Sequence, residues 1–234
     1  MENEIYDHYI ENTFGSAEPC PVKRAQFIYN YSRFFPKDKK AECLDIGPGR
    51  GEMLDVLKSF GYQNSRAIDL SLEVTNFCRS RGFICEHVTD TLQYLHKHPS
   101  EFEFITLCDV LEHIEKNDVL PLLKGIFHSL KSGGKLLIQV PNMAAEEAAL
   151  YFYNDFTHVT GFTELSIRQV LLASNFTDIN SHPMEMFCYG GIKEFIAKII
   201  RIFFHALTRF RRMMIGAHSP EIITPVFFTL AKKP

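Results

Sequence analysis

Glu42-Cys-Leu-Asp-Ile-Gly-Pro-Gly-Arg-Gly-Glu-Met-Leu54 decides how the chain is read: a short apolar strand runs into a loop with glycine at every second position. Asp45 closes the strand. Gly47, Gly49 and Gly51, with Pro48 between the first two, leave one edge of the turn almost free of side-chain bulk. Glycine tolerates φ > 0 and lets a ligand come close to the backbone. A strand, a glycine turn and a helix, here expected from Glu52 to Phe60, hold nucleotide-like ligands at the carboxyl end of a sheet. The spacing separates two ligand classes. A dinucleotide fingerprint needs glycine three residues after Gly49, and Glu52 stands there.

Outward from this stretch the pattern alternates. Strands are expected at Ala41–Ile46, Ser65–Leu70, Phe83–Val88, Phe104–Val110 and Lys135–Pro141. Helices are expected at Val22–Phe34, Glu52–Phe60, Leu72–Arg81, Thr91–Lys97 and Val119–Leu130. Continuous apolar strands separated by helices predict a parallel sheet covered on both faces. Ser132-Gly-Gly134 reads as a helix stop before the fifth strand. Past Pro141 the pattern changes: a helix over Thr163–Ser174, a sixth strand over Asp178–Phe187 and a closing strand over Thr224–Lys232.

The acidic-x-Gly-x-Gly-x-Gly pattern starting at Asp45 resembles motif I of the class I S-adenosylmethionine-dependent methyltransferases. The resemblance implies a Rossmann-like α/β fold: a seven-stranded, mostly parallel sheet in the order 3-2-1-4-5-7-6, with helices on both faces and an antiparallel terminal pair. It also implies S-adenosylmethionine as cofactor. Gly47, Gly49 and Gly51 would let backbone approach the ribose and amino-acid end, and Asp45 would face the ammonium or order the loop. Asp69, followed by Leu70, ends the second strand and can accept from both ribose hydroxyls, the device dinucleotide folds use. Asp90-Thr91 would take the adenine. Cys108-Asp-Val-Leu-Glu-His-Ile114 resembles the D-x-L-E-H segment of many members, which places Asp109 and Val110 near the methionine end. Phe14-Gly-Ser16 and Arg24 resemble an arginine-glycine-serine element of some relatives, with phenylalanine in place of the arginine; Arg24 reads either as a partner of the cofactor carboxylate or as a solvated helix residue.

The acceptor side is expected after the fifth strand. The run Asp155-Phe-Thr-His158, then Phe162 and a helix ending in Ala173-Ser-Asn-Phe176, resembles bacterial sugar O-methyltransferases of surface-polysaccharide pathways (lipopolysaccharide, O-antigen or capsule). That resemblance implies a hydroxyl on a cell-surface glycan or lipid-linked sugar as acceptor. Methyl transfer is an in-line displacement in which positioning supplies much of the rate, and a sugar hydroxyl benefits from a base. Histidine is the side chain suited to exchange protons near neutral pH, and His158 is the expected base, with Asp155 orienting it or binding the sugar and His113 as the competing base. The residues equally allow His158 simply to bond a loop carbonyl. A quinone or other small-molecule O-methyltransferase, or a non-catalytic cofactor-binding subunit, are the alternative readings. No cluster has metal-ligand spacing, so metal independence is expected.

The 234 residues suit one domain: a helical cap over 1–40, a cofactor-binding core over 41–141, an acceptor-side region over 142–188, an insertion over 190–215 and a closing strand over 222–234. A net charge of −3 argues against a nucleic-acid partner. The six cysteines show no CxxC pair, which predicts free thiols in a reducing cytoplasm. The acidic N-terminus lacks the apolar stretch of a secretory signal. Within 190–215, Ile192, Phe195, Ile196, Ile199, Ile200, Phe203 and Leu207 recur at helical spacing among lysines and arginines. Too many charges interrupt it to span a bilayer. A basic amphipathic helix fits the inner face of an anionic membrane, while an active-site cap or a homodimer face are the alternatives.

Overall fold

The computed structural model describes residues 20–186 and 190–234; the Phe14-Gly-Ser16 element, Cys188 and the first 19 residues of the expected cap lie outside them. In chain order the elements are α1 (Pro21–Tyr31), β1 (Cys43–Ile46), α2 (Glu52–Ser59), β2 (Ser65–Asp69), α3 (Leu72–Ser80), β3 (Ile84–His87), α4 (Thr91–Lys97), β4 (Phe102–Cys108), α5 (Lys116–Ser129), β5 (Leu130–Pro141), α6 (Ala148–Tyr153), α7 (Glu164–Ala173), β6 (Thr177–Pro183), α8 (Gly191–Met214) and β7 (Val226–Lys232). The sheet runs β3-β2-β1-β4-β5-β7-β6. The first five strands are mutually parallel, and β7 lies antiparallel between β5 and β6. Fold class and strand order are as the resemblance implied.

Alternation within the strands explains why they read as unbroken apolar runs. Leu44, Ile46, Ile105, Leu107, Leu136 and Ile138 pack on one face with Tyr94 and Leu95 of α4, Leu123 and Ile126 of α5, and Ile167 and Leu171 of α7. Cys43, Phe104, Cys108 and Leu137 point to the other, where α1 supplies Phe27 and Tyr31 and α2 supplies Met53, Val56 and Leu57. Burying an aromatic such as Phe27 or Tyr31 stabilises by about 1.5–3 kcal/mol, so the cap helix is an integral wall of the core. The described cysteines are free, and Cys43, Cys78, Cys85 and Cys108 are buried.

Several boundaries differ from the sequence reading: α1 ends at Tyr31 instead of Phe34 and β4 runs over Phe102–Cys108 instead of Phe104–Val110. Helix α5 starts at Lys116, a turn before the expected Val119, and accommodates Pro121. It ends at Ser129, so Ser132-Gly-Gly134 is not a helix stop; it lies inside β5, where the β4–β5 register shifts. Gly133 N–H donates to Lys233 O and Lys233 N–H to Gly134 O, which tethers the end of the chain. Strand β6 stops at Pro183 rather than Phe187, with Met184 N–H still donating to Val226 O just beyond it. Helix α6 and a 3₁₀ turn at Leu111–His113 were not expected.

Candidate active site

A cavity of about 330 Å³ opens at the carboxyl ends of β1, β2 and β4, where strand order reverses between β1 and β4. That reversal is where open α/β sheets bind ligands. Asp45, Gly47, Pro48, Gly49, Asp69, Leu70, Thr91, Asp109, Val110, His113, Asp155 and His158 all line it, so the fold gathers most of the residues singled out from the sequence. It also adds residues the sequence did not point to, chiefly Lys23, Glu52, Tyr151 and Asn154.

Asp45 is 2% exposed. Its Oδ1 accepts from Thr106 Oγ1 at 2.6 Å, while Oδ2 is buried without a hydrogen-bond partner. Burial pushes the carboxyl up to about 7, against the opposing pull of the Thr106 bond. Gly47, at φ +71°, presents bare backbone: a Cβ there would stand 2.5 Å from Val110 Cγ2. Asp69 Oδ1 accepts from Ser71 N at 2.7 Å, and burial raises its carboxyl to about 6.

Asp109, at φ +58°, anchors a half-buried relay. Its Oδ2 accepts from Lys23 Nζ at 3.0 Å and its Oδ1 from Gln139 Nε2 at 2.6 Å, while Tyr31 OH donates to Gln139 Oε1. Burial alone would raise the Asp109 carboxyl; the Lys23 ammonium and the Gln139 amide outweigh it and hold it below the usual range. A non-glycine residue held at positive φ by such partners is a positioned one. Glu52, in the first turn of α2, accepts from Cys20 N and Arg50 Nε. Among the described residues, Asp45, Glu52, Asp69 and Asp109 line the cavity with Lys23, while Arg50 pairs with Glu52 from outside the wall; the lining therefore carries more carboxylates than cations, a setting suited to a positively charged ligand.

Two of the expected cofactor residues stand off the cavity wall. Gly51 does not face the cavity. It sits at φ +77° ahead of α2, and a Cβ would meet Arg81 Nη1 at 3.1 Å and Phe83 Cε2 at 3.3 Å; its glycine serves helix packing. Asp90 lies outside the cavity wall as well, because its Oδ1 caps α4 by accepting from Gln93 N at 2.8 Å. The pattern Asp90-Thr-Leu-Gln93 carries that capping signal in the sequence. Thr91, next to it, does reach the wall. Gly51→Ala is expected to cost about 1–3 kcal/mol of stability with ligand affinity retained, whereas Gly47→Ala loses affinity at least tenfold; thermal melts and calorimetry separate the two.

On the acceptor side the expected Asp155–His158 pair does not form. Asp155 Oδ1 accepts from Thr157 N at 2.9 Å and Thr157 Oγ1 at 2.6 Å. Thr157 Oγ1 in turn lies 2.8 Å from His113 Nδ1, so Asp155 orients His113 through Thr157. His158 Nδ1 faces the Phe152 carbonyl at 2.9 Å, the loop-carbonyl bond the residues also allowed. The two imidazoles meet edge to face with centroids 4.7 Å apart. Burial and the neighbouring imidazole lower the pKa of His113.

Residues 23–181 match the family described as a methyltransferase domain, which is more than half the chain. The chain belongs to that family. Solved structures with the same fold include an S-adenosylmethionine-dependent methyltransferase from Archaeoglobus fulgidus (TM-score 0.71, 21% identity, covering 97% of this chain and 99% of that one). Another is a Thermotoga maritima methyltransferase described as a possible histamine N-methyltransferase (TM-score 0.62, 13% identity, 100% and 95% covered). A third is the 1,6-didemethyltoxoflavin-N1-methyltransferase of Burkholderia thailandensis, solved with S-adenosylhomocysteine (TM-score 0.62, 16% identity, 99% and 86% covered). No curated protein matches the chain by sequence. The protein is a methyltransferase, and its cofactor is S-adenosylmethionine.

The methyltransferase's cavity fits that cofactor. The unpartnered Asp45 Oδ2 offers a buried acceptor, the backbone at Gly47 stands bare, and the carboxylates outnumber Lys23. Arg24 is absent from the wall; Lys23, one residue earlier on α1, takes the place beside Asp109.

Proposed function

We propose that this methyltransferase methylates a hydroxyl of a sugar in a cell-surface glycan or its lipid-linked precursor, working at the cytoplasmic face of a membrane. The observation that carries the reading is the imidazole pair His113 and His158, which lines the same cavity as the glycine loop. Bound S-adenosylmethionine supplies an electrophilic methyl on a sulfonium. The glycine-loop side of the cavity, with Asp45, Gly47 and Asp69, would hold that cofactor, and His113 and His158 line the side toward which the acceptor hydroxyl would give up its proton as the methyl is transferred. Asp155 and Thr157 fix the ring of His113 for this, and Tyr151 and Asn154 of the α6 region wall off the acceptor.

Helix α8 supports the membrane part of the reading. Its arginines tie it to the body of the protein, with Arg209 and Arg211 still exposed: Arg201 pairs with Glu185, Arg211 with Glu146, Arg212 donates to Ala144 O and Arg209 to Glu221 O. The apolar side faces out, with Phe195 63%, Ile199 51%, Phe203 65% and Phe210 54% exposed. A surface helix of a globular domain buries this stripe; presenting it outward suits the headgroup–acyl boundary of a bilayer. Ala144 and Glu146 lead into α6, whose Leu150 and Tyr153, with nearby Phe156, are also exposed beside the acceptor end of the cavity. Among the described residues no helix is long and apolar enough to cross a membrane.

The test uses purified protein, labelled cofactor and extracts of glycans and glycolipids, read by mass spectrometry for a methyl replacing a hydroxyl hydrogen. Label on a sugar oxygen is the expected result; label only on nitrogen, or on a non-sugar small molecule, would overturn the reading. In parallel, wild-type protein is expected to co-sediment with anionic vesicles. Phe203→Glu with Ile199→Glu is expected to remain in the supernatant while keeping turnover on a detergent-dispersed acceptor. Equal vesicle binding by that variant would remove the membrane part.

A further inference from the structure

We infer that Glu112, His113 and His158 form a binding site for a divalent first-row transition-metal ion on the acceptor side of the cavity. Glu112 lies in the 3₁₀ turn after β4 and is 1% exposed, yet neither carboxylate oxygen has a hydrogen-bond partner. A buried carboxylate without donors is costly, and proteins satisfy such groups with a partner or an ion.

The histidine hydrogen bonds show what faces it. The Phe152 carbonyl can only accept, so His158 Nδ1 carries the hydrogen and Nε2 presents a lone pair. That Nε2 stands 3.9 Å from Glu112 Oε1. Thr157 Oγ1 spends its hydrogen on Asp155 Oδ1, so it accepts from His113 Nδ1–H and leaves His113 Nε2 bare as well. One ligand atom from each of the three residues lies within 4.8 Å of the others. Three acceptors therefore converge with no donor among them. One shared proton would relieve a single pair; a cation relieves all three.

The supporting bonds are those of metal sites. A metal-bound imidazole usually donates its other ring N–H to a carbonyl or carboxylate. His158 does so to Phe152 O, and His113 does so through Thr157 to Asp155. Two imidazoles and one carboxylate select zinc, iron(II), cobalt or manganese over magnesium and calcium. Three protein ligands leave a position open, as catalytic rather than structural sites do, and His113 and His158 border the cavity on that side. An ion with bonds of about 2.0–2.1 Å draws the ligand atoms closer than they stand. The catalytic consequence rests on the hydroxyl-acceptor reading: with Nε2 of His113 and His158 given to the ion, the two rings would hold the ion rather than take the proton themselves, and the ion would make an acceptor hydroxyl on that side of the cavity more acidic. Ion binding itself does not depend on that reading. It replaces the metal independence expected from the sequence, where the ligands lie too far apart along the chain to be seen as a set.

The test strips the full-length protein with a chelator and titrates it with Co²⁺, following visible ligand-field absorption, with S-adenosylhomocysteine affinity as the folding control. Wild type is expected to take up one ion per chain. Glu112→Gln is expected to weaken uptake at least tenfold with unchanged S-adenosylhomocysteine affinity. His158→Ala, on a loop position less dependent on core packing, repeats the comparison should Glu112→Gln fail to fold. Wild-type protein that binds S-adenosylhomocysteine but no Co²⁺, or Co²⁺ uptake undiminished in the variants, overturns the site. If no hydroxyl is methylated in any extract, the acceptor reading fails while the Co²⁺ titration still decides the metal.

Discussion

At pH 8, ligand-free Asp45→Asn is expected to melt at a higher temperature than the wild type while binding S-adenosylmethionine roughly 100-fold more weakly. The folded Asp45 carboxyl holds its proton up to about 7, whereas the unfolded chain releases it near 3.8. Its contribution to stability is therefore full below the unfolded value and is lost as pH rises through about 7. At roughly 1.4 kcal/mol per pKa unit, the loss amounts to a few kcal/mol by pH 8. Asparagine keeps an oxygen for Thr106 Oγ1 and removes the buried charge, so the variant escapes this loss. The same charge is what a cationic ligand would pair with. Wild-type affinity is expected to rise as pH climbs through about 7, and the asparagine variant is expected to show no such rise. Calorimetric titrations and melts at pH 5 and pH 8 check both halves. An Asp45→Asn protein with wild-type affinity at pH 8 would show that Oδ2 plays no part in holding the cofactor. The trade of stability for function at one buried carboxylate is a familiar feature of binding sites.

The second large effect is on turnover. His113→Ala is expected to lower kcat by about 10²–10³-fold, the range of a proton-handling group, with S-adenosylmethionine affinity changed less than twofold. The separation follows from geometry. The cofactor-side carboxylates Asp45, Asp69 and Asp109 make their bonds to Thr106, Ser71, and Lys23 with Gln139, none of which involves the imidazoles. Thr157→Val keeps the volume of the side chain but removes the hydroxyl that links Asp155 to His113. It is expected to cost about tenfold in kcat, and His158→Ala more, because His158 borders the cavity itself. Full turnover in His113→Ala with a competent acceptor would exclude the imidazole side as the exit for the hydroxyl proton. A matching loss of cofactor affinity would instead place His113 on the donor side.

The site was legible from the sequence where a local rule fixes both backbone and side chain. Motif I, the carboxylates at the strand ends and the turn after β4 all belong to elements whose direction the parallel sheet dictates, so Asp45, Asp69 and Asp109 fall at one edge. Where two local rules competed, the reading failed. Asp90 is both a strand-end acid and a helix cap, and its Oδ1 is taken up by Gln93 N–H, a second role that the strand-end reading left out. Asp155 and His158 are three residues apart, yet the loop turns Asp155 onto Thr157 and hands its orienting role to His113.

By itself, then, the sequence determined the sheet, its strand order through the family resemblance, and the glycine edge at Gly47 and Gly49, because these follow from short-range periodicity and backbone freedom. Only the tertiary structure decided which long-range partners close the site: Lys23 against Asp109, Gln139 beneath it, and Glu112 facing His158. It also decided which arginines of α8 meet the body of the protein, as Arg201 meets Glu185 and the exposed Arg211 meets Glu146. The periodicity of a helix defines its two faces, but the energy that chooses between them lies in charges and carbonyls brought close by the fold.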